Sequence, residues 1–240
     1  MMAEDDDLEE NDLEERFMED DKQVKDDERA KDETRSEDDK QTADGKRAED
    51  DGITGDRYYR PREDSYLLLD AASEEVRAED RVLEVGCGSG VVISRIAEMD
   101  VGRVVATDVN PHAVRETRER DVDVVRTDLY SGIGAEFDLV LFNPPYLPAT
   151  EDQKKREGDD VDLDWPEVAV TGGDTGRKVI EKFLAGLDRI LSEGGRAILV
   201  VSTHTDVEEV EERCRKHGFS TRKTAREELF FESLYALKIF

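Results

Sequence analysis

The chain of 240 residues has the length of one domain with an appendage, or of two small domains. It carries 63 acidic against 35 basic side chains, and the formal net charge of −28 disfavours direct binding to nucleic acid at ordinary ionic strength. The same balance, with 23 Arg and 12 Lys, is typical of proteins from salt-loving organisms. High salt screens the self-repulsion of such a surface, so we interpret the charge as serving solubility.

The cysteines, histidines and apolar runs indicate the cellular compartment and whether a metal site is expected. Cys87 and Cys214 lie far apart in the sequence, which suits a reducing cytosol better than a disulfide scaffold. The three histidines, His112, His204 and His217, lack metal-ligand spacing, so we expect no metal site. No apolar run approaches the roughly 18 residues of a membrane span, and no signal-like segment opens the chain. We therefore expect a soluble, cytoplasmic protein with no membrane contact.

The first 50 residues differ in composition from the rest of the chain. Residues 1–50 hold 23 acidic against 9 basic side chains and no sustained apolar stripe. Such a segment cannot bury enough surface to fold, so we predict a disordered acidic tail. The alternative is a solvated, partly helical arm, because "DLEERFMEDDKQV" could form a marginal helix. Residues 51–240 then form the folded domain.

From residue 63 onward, helical and strand periodicities alternate. Strand patterns occupy residues 81–85, 103–109, 122–128, 137–142, 196–202, 219–225 and 229–239. Helical patterns separate most of them, at residues 63–76, 90–99, 111–120, 174–191 and 206–218, and a polar loop spans 147–169. Strands separated by helix-length segments require a parallel sheet with helices on both faces. The last two strands are joined too tightly for a crossover, so we expect them to pair antiparallel.

A glycine-rich turn follows the first strand. "LEVGCGSG" places Glu84 near the strand end, and Gly86, Gly88 and Gly90 in the turn to the next helix. Glycine allows positive φ and close approach of a ligand to the backbone. A dinucleotide site and a bare tight turn also explain this pattern, but Val91 stands where a dinucleotide fingerprint has Gly or Ala.

Acidic residues end the next two strands. Asp108 ends the second strand, where a carboxylate can accept both hydroxyls of a ribose. Asp128 ends the third strand and precedes Leu129, and a carboxylate beside an aliphatic side chain suits an adenine. The alternative for each acid is a helix N-cap. Because ligands of such sheets lie beyond the carboxyl ends of the strands, these positions predict a nucleoside site.

The fourth strand ends in "NPPY", residues 143–146. Asn143 places an uncharged amide there, and its side-chain oxygen and the carbonyl of Pro144 can both accept hydrogen bonds from an NH₂ group. The prolines, Pro144 and Pro145, fix the direction of that carbonyl, and Tyr146 can pack against a flat amide or base. The alternative is a simple turn. The pattern indicates a site that orients a planar nitrogen without a general base.

Together the four strand ends resemble those of the class I S-adenosylmethionine-dependent methyltransferases, and "NPPY" is similar to the motif of enzymes that methylate planar nitrogens. Two further stretches, "YYRPREDSYLLLDAA" (58–72) and "VTGGDTGRKVIEKFL" (170–184), resemble the flanking motifs of the HemK-related protein glutamine methyltransferases. The resemblance is greatest to the archaeal and eukaryotic branch that modifies the GGQ glutamine of the class 1 translation release factor. It covers residues 58–240.

This resemblance implies a Rossmann-like, doubly wound, seven-stranded α/β sheet that is mostly parallel with an antiparallel C-terminal strand. It implies S-adenosyl-L-methionine as cofactor, N5-glutamine methylation as activity and residues 143–146 as the substrate clamp. The implied cofactor contacts are Ser65, Glu84, Gly86, Gly88, Asp108, Val109, Asp128, Leu129 and Asn143. An adenine N6-methyltransferase and an inactive cofactor-binding scaffold remain the alternatives. The first lacks a separate target-recognition domain and a basic stripe.

The sequence of the third strand predicts that a partner protein binds at the edge of the sheet. In the usual strand order of this fold it lies at one edge of the sheet, with Val122, Val124 and Val125 available for pairing with another chain. The resemblance implies a heterodimer with a small zinc-ribbon activator protein, which extends the sheet through residues about 103–127 by strand addition. The alternative is an edge covered by its own flanking helices.

Overall fold

The computed structural model describes residues 57–151 and 165–240. The predicted acidic tail lies outside the described residues, as does most of the loop predicted at 147–169, so the division into tail and folded domain stays a prediction. In the described ranges, no helix is long and apolar enough to cross a membrane. The same ranges contain no group of three His, Cys, Asp or Glu side chains that could hold a metal ion.

The described residues form one seven-stranded sheet. Its strands are β1 (Arg81–Val85), β2 (Arg103–Asp108), β3 (Asp123–Arg126), β4 (Phe137–Phe142), β5 (Leu191–Ser202), β6 (Thr221–Glu228) and β7 (Ser233–Ile239). They lie in the order β3-β2-β1-β4-β5-β7-β6. Every pairing is parallel except those of β7, which runs antiparallel to β5 and to β6. This confirms the predicted doubly wound sheet and the antiparallel pairing of the last two strands.

Helices cover both faces of the sheet. They are α1 (Glu63–Glu75), α2 (Val91–Ala97), α3 (Pro111–Arg118), α4 (Trp165–Val170), α5 (Lys178–Leu187) and α6 (Val207–Lys216), with a short 3₁₀ helix at Thr203–Thr205. Side chains of successive strand residues point to opposite faces of the sheet. Each buried strand therefore contributes to two hydrophobic cores, one on each face. In β4, Leu139 and Leu141 pack with α1 and α2, whereas Val140 and Phe142 pack with α5 and α6.

Several predicted boundaries were wrong, and contacts distant in sequence explain two of them. The helix predicted at 174–191 spans only Lys178–Leu187. Gly176 has φ +69°, and a Cβ there would lie 2.1 Å from the backbone oxygen of Tyr146, so packing against the "NPPY" segment delays the helix. The strand predicted to begin at 196 begins at Leu191, which pairs with Phe137. The end of the predicted polar loop is helical, because α4 begins at Trp165.

The edge strand β3 spans Asp123–Arg126, shorter than the predicted 122–128, and one of the valines predicted to be available at the edge is buried. β3 pairs only with β2, so its other side has no strand partner among the described residues, as predicted. Val122 is only 4% exposed and contributes to the core, so the prediction that it is available at the edge was wrong. Val125 remains 42% exposed. The apolar surface at this edge is therefore smaller than the sequence indicated.

Candidate active site

A cavity of about 830 Å³ opens at the carboxyl ends of β1, β2 and β4. Parallel strands end at the same edge of the sheet, so residues that are far apart in sequence meet there. The cavity wall contains every predicted site residue, namely Ser65, Glu84, Gly86, Gly88, Asp108, Val109, Asp128, Leu129, Asn143, Pro144, Pro145 and Tyr146. The structure thus brings the whole predicted set together, while contact of each residue with a cofactor or substrate stays a prediction.

The glycine turn after β1 has left-handed backbone conformations. Gly86, Gly88 and Gly90 have φ of +66°, +53° and +76°. A Cβ on Gly90 would lie 2.6 Å from Thr117 Oγ1, so Gly90 permits α2 to pack against α3 and does not line the cavity. Gly88 instead donates its backbone N–H to Asp108 Oδ2 at 2.9 Å. The turn therefore ties the ends of β1 and β2 together at the cavity floor.

Glu84 is a buried carboxylate at the end of β1. Its side chain is 4% exposed, and Oε2 accepts the backbone N–H of Ile93 in α2 at 2.9 Å. Burial raises the pKa of the Glu84 carboxyl well above its ordinary value of 4.5, and the neighbouring Asp108 charge adds to this. Among the described residues Glu84 forms no ion pair. Burial therefore destabilises the charged form of Glu84. Hydrogen bonds donated to its carboxylate by the hydroxyl groups of a ligand would offset this cost.

Asp108 ends β2 and also faces the cavity. Besides Gly88, it accepts the backbone N–H of Asn110 at 2.8 Å, and burial raises the pKa of its carboxyl. The N-cap of α3 is Asn110, whose side chain accepts from His112 N at 2.9 Å, with Pro111 at the first helical position. The alternative that Asp108 caps the helix was therefore wrong, and its carboxylate is held at the cavity by the two loops.

The end of β3 closes another side of the cavity. Leu129 has φ +54° and lies in a turn, not a helix, so no helix follows that Asp128 could cap. Asp128 is exposed, and its Oδ2 lies 3.7 Å from Lys182 Nζ. Solvent and this ammonium group both reach the carboxylate, so Asp128 is a weaker and more easily screened acceptor than Asp108.

The "NPPY" segment contains an unpaired polar atom. Asn143 Oδ1 is buried and accepts no hydrogen bond from any described residue. A buried acceptor without a partner costs roughly 1–3 kcal/mol, so such atoms are rare and require an explanation. An NH₂ group of a ligand in the cavity would satisfy this oxygen.

The "NPPY" segment is held in place by the glycines of "TGGDTG". Gly172 packs so closely that a Cβ would lie 2.5 Å from the backbone oxygen of Pro145, and its N–H donates to Leu147 O at 2.8 Å. Leu147 N in turn donates to Val170 O at 2.9 Å. Only glycine fits at Gly172 and Gly176, which explains why "TGGDTG" at 171–176 accompanies "NPPY" although it begins 28 positions later in the sequence.

Asp64 is a cavity residue that sequence reasoning missed. It is 4% exposed, and it accepts the hydroxyl of Tyr59 at 2.8 Å and the backbone N–H of Ser65 at 2.7 Å. Tyr146 also hydrogen-bonds to Asp64, and burial together with this carboxylate raises the pKa of the Tyr146 hydroxyl. Asp64 thus links α1 to the "NPPY" segment. An acid at the first turn of an amphipathic helix was the only signal, and that position normally indicates exposure.

These features fit an adenosyl ligand and a planar amide. The carboxylates Glu84 and Asp108 can accept hydroxyl hydrogens, Val109 and Leu129 offer apolar surface to a flat ring, and Asn143 Oδ1 needs a donor. No histidine of the described residues lines the cavity. The sheet order, its single antiparallel strand and this cavity define a class I S-adenosylmethionine-dependent methyltransferase.

Comparisons with known proteins identify the family to which the chain belongs within this class. Residues 62–157 match the family model "Methyltransferase small domain". The chain is 32% identical over 185 residues to a putative protein N5-glutamine methyltransferase of Methanocaldococcus jannaschii, which covers 75% of this chain and 89% of that relative. It is also 32% identical to the human methyltransferase HEMK2, over 75% of this chain and 88% of HEMK2. The chain belongs to the HemK-related family of protein N5-glutamine methyltransferases.

A solved structure agrees with this family. The chain resembles a chain in the E. cuniculi Mtq2–Trm112 complex, described as responsible for methylation of the translation termination factor eRF1. The TM-score is 0.61 at 30% sequence identity, and the match covers 76% of this chain and 98% of that one. The similarity therefore extends across nearly the whole of the solved chain.

Proposed function

We propose that this protein transfers the methyl group of S-adenosyl-L-methionine to the side-chain amide nitrogen of the glutamine in the GGQ motif of a class 1 translation release factor. The observation that carries the proposal is Asn143 Oδ1, a buried acceptor in the cavity with no partner among the described residues. Relatives named release factor glutamine methyltransferase, such as that of Deinococcus radiodurans at 34% identity, support this substrate. We expect the reaction to take place in the cytoplasm, where translation factors act.

The residues of the chain have distinct roles in this proposal. The bound cofactor supplies an electrophilic methyl group on a sulfonium. Asp108 and Glu84 accept the ribose hydroxyls and neighbouring donors, while Asp128 and Leu129 contact the adenine edge and face. Ser65 and the glycine turn complete the cofactor wall. Charge-assisted hydrogen bonds of this kind contribute roughly 1.5–3 kcal/mol each.

The "NPPY" segment orients the glutamine amide of the substrate. The amide nitrogen of glutamine is a weak nucleophile because its lone pair is delocalised. Asn143 Oδ1 and the carbonyl of Pro144 accept its two hydrogens, which holds the nitrogen in line with the methyl group. Tyr146, fixed by Asp64, packs against the flat amide. Transfer would form the nitrogen–carbon bond as the sulfur–carbon bond breaks, releasing S-adenosylhomocysteine and one amide proton, which solvent would take up.

A methyl-transfer assay tests the proposal. Purified protein is incubated with labelled S-adenosyl-L-methionine and release factor, and mass spectrometry locates the modified residue. A release factor in which the GGQ glutamine is replaced by alanine serves as the matched control and should remain unlabelled. Labelled DNA in a parallel reaction would instead support adenine N6-methylation. Cofactor binding with no transfer to either substrate would support an inactive scaffold.

We further propose a heterodimer with a small zinc-ribbon activator that adds a strand beside β3, through residues about 103–127. β3 has no strand partner on its outer side among the described residues, and Val125 is 42% exposed there. The similar E. cuniculi chain was solved in complex with Trm112, which supports a partner of this kind.

Co-expression and size-exclusion chromatography test the heterodimer. Val124→Lys and Val125→Lys should each prevent co-elution with the activator, because a buried lysine opposes strand addition. Thr221→Lys, on the other edge strand β6, adds the same charge and should leave co-elution unchanged. A fully active monomer whose Val124→Lys and Val125→Lys variants behave like the parent would contradict this proposal.

A further inference from the structure

The turn between β6 and β7 exposes two adjacent aromatic side chains. Phe230 is 93% exposed and Phe231 is 86% exposed, and their rings pack edge to face with centroids 4.6 Å apart. The next most exposed large apolar side chain in the described residues is Phe240, at 54%. A pair of water-exposed rings stands out on a chain with 41% charged residues. Exposed apolar surface of this kind commonly marks an interaction site.

The phenylalanine pair lies at the mouth of the active-site cavity. The turn is closed by a hydrogen bond from Leu229 N to Glu232 O at 2.9 Å, which places Phe230 and Phe231 at its tip. Leu229 and Glu232, the residues on either side of the pair, both line the cavity. The pair itself does not line the cavity and so projects from its rim.

The turn is anchored to the carboxyl edge of the parallel sheet. Ser202, the last residue of β5, donates its hydroxyl to Glu232 Oε2 and pairs with Leu234 of β7. Ser233 N donates to Thr203 Oγ1 at 3.2 Å. These bonds hold the tip at the edge where the chemistry takes place. The backbone beside the pair is therefore anchored, which reduces the ordering required on binding relative to an unanchored loop.

We propose that Phe230 and Phe231 dock the protein substrate, by contacting the surface of the release factor that flanks its reactive glutamine. This inference rests on the proposed function, because it names the same substrate. A folded protein that inserts one glutamine side chain into the cavity must lay its neighbouring surface on the rim. The contact is apolar, so it persists in salt concentrations that screen the many surface charges.

The position of the pair separates it from the proposed activator edge. The sheet order places β3 at one end and β6 at the other, so a partner that extends the sheet at β3 leaves the β6–β7 turn free. A second copy of this chain would be a competing occupant. It would cover the cavity mouth and block substrate, which favours the substrate as the occupant.

The test uses the full chain, co-expressed with its activator, and the double variant Phe230→Ser/Phe231→Ser. We expect KM for intact release factor to rise about tenfold or more, as loss of aromatic contacts at the centre of an interface does, while kcat changes less than about twofold. KM for a short GGQ peptide and the affinity for cofactor should not change. The matched control is Phe240→Ser, which removes an exposed ring at the far end of β7 and should leave KM for both substrates unchanged.

Four results would overturn the inference. If the parent methylates release factor and the double variant has the same KM for it, the docking proposal fails and the proposed function stands. An equal rise in KM for the peptide would show that the pair acts on the reactive loop alone. A parent dimer that becomes monomeric in the double variant, with KM unchanged, would assign the pair to a second copy. Failure of the parent to methylate any release factor would remove the proposed function and this inference together.

Discussion

The two edges of the parallel sheet use buried charge in opposite ways. At the amino edge, Arg196 is 2% exposed and donates to Asp80 Oδ2 at 2.6 Å, to Asp138 O at 2.8 Å and to Glu75 O. Lys238 pairs with Glu75 as well. At the carboxyl edge, Glu84 and Asp108 are buried without any ion pair among the described residues. The same chain therefore neutralises its buried acids at one edge and leaves them without cations at the other.

This difference separates groups that stabilise the fold from groups kept for a ligand. A buried carboxylate with a cation loses stability when that cation is removed. A buried acceptor without a partner, such as Asn143 Oδ1, already costs stability, and truncating it removes that cost. Substitutions at the amino edge should thus damage folding, whereas truncation of Asn143 at the carboxyl edge should damage activity and leave folding intact or improved.

Arg196→Met should have the largest effect. It leaves the buried Asp80 carboxylate without the guanidinium, and we expect the free energy of unfolding to fall by about 3–5 kcal/mol. Denaturant titration measures this. Arg115→Met is the matched control, because it removes one equal charge from an exposed i,i+4 pair with Glu119, at an expected cost of about 0.3–0.5 kcal/mol. Equal losses in the two variants would show that the amino-edge cluster does not stabilise the fold.

Asn143→Ala should reduce turnover on release factor by about two to three orders of magnitude, as loss of one oriented polar group in a reaction site does. Its melting temperature should not fall, because the truncated oxygen has no partner among the described residues. Single-turnover kinetics and thermal melts measure the two quantities. A parallel loss of cofactor affinity, found by calorimetry, would make Asn143 mainly a cofactor-binding residue.

Asp108→Ala should weaken cofactor affinity by about 2–4 kcal/mol, because two ribose hydroxyls lose a charged acceptor. Titration calorimetry with S-adenosylhomocysteine measures it. Asp128→Ala should weaken affinity less, since the Asp128 carboxylate is exposed and lies 3.7 Å from Lys182 Nζ. Unchanged affinity in Asp108→Ala would move the ribose site elsewhere in the cavity.

Glu84→Gln should have the smallest effect, on the pH dependence of stability without ligand. Burial raises the pKa of Glu84 above 4.5, so the folded protein binds its proton more tightly than the unfolded chain. The stability it contributes is present below pH 4.5 and is lost as pH rises through the raised pKa. The variant should therefore gain stability relative to the parent as pH rises above 4.5, with a residual slope from Asp108. Parallel pH profiles from denaturant titration would contradict this.

The sequence by itself determined the sheet, its antiparallel last strand and the main polar side chains of the cavity. Strand periodicity is local, and parallel strands share a carboxyl edge, so Glu84, Asp108, Asp128 and Asn143 could be grouped without coordinates. The glycine turn could also be predicted from the sequence, because a positive φ depends on the single residue that adopts it.

Only the tertiary structure decided how each polar group is partnered. Asp64 lies in the first turn of α1, where an acid is commonly exposed, yet it is a buried acceptor that hydrogen-bonds to Tyr59 and Tyr146. The helical period at 174–177 was overridden because Gly176 packs against Tyr146. Burial and pairing depend on neighbours that are distant in the chain, and local periodicity carries no information about them.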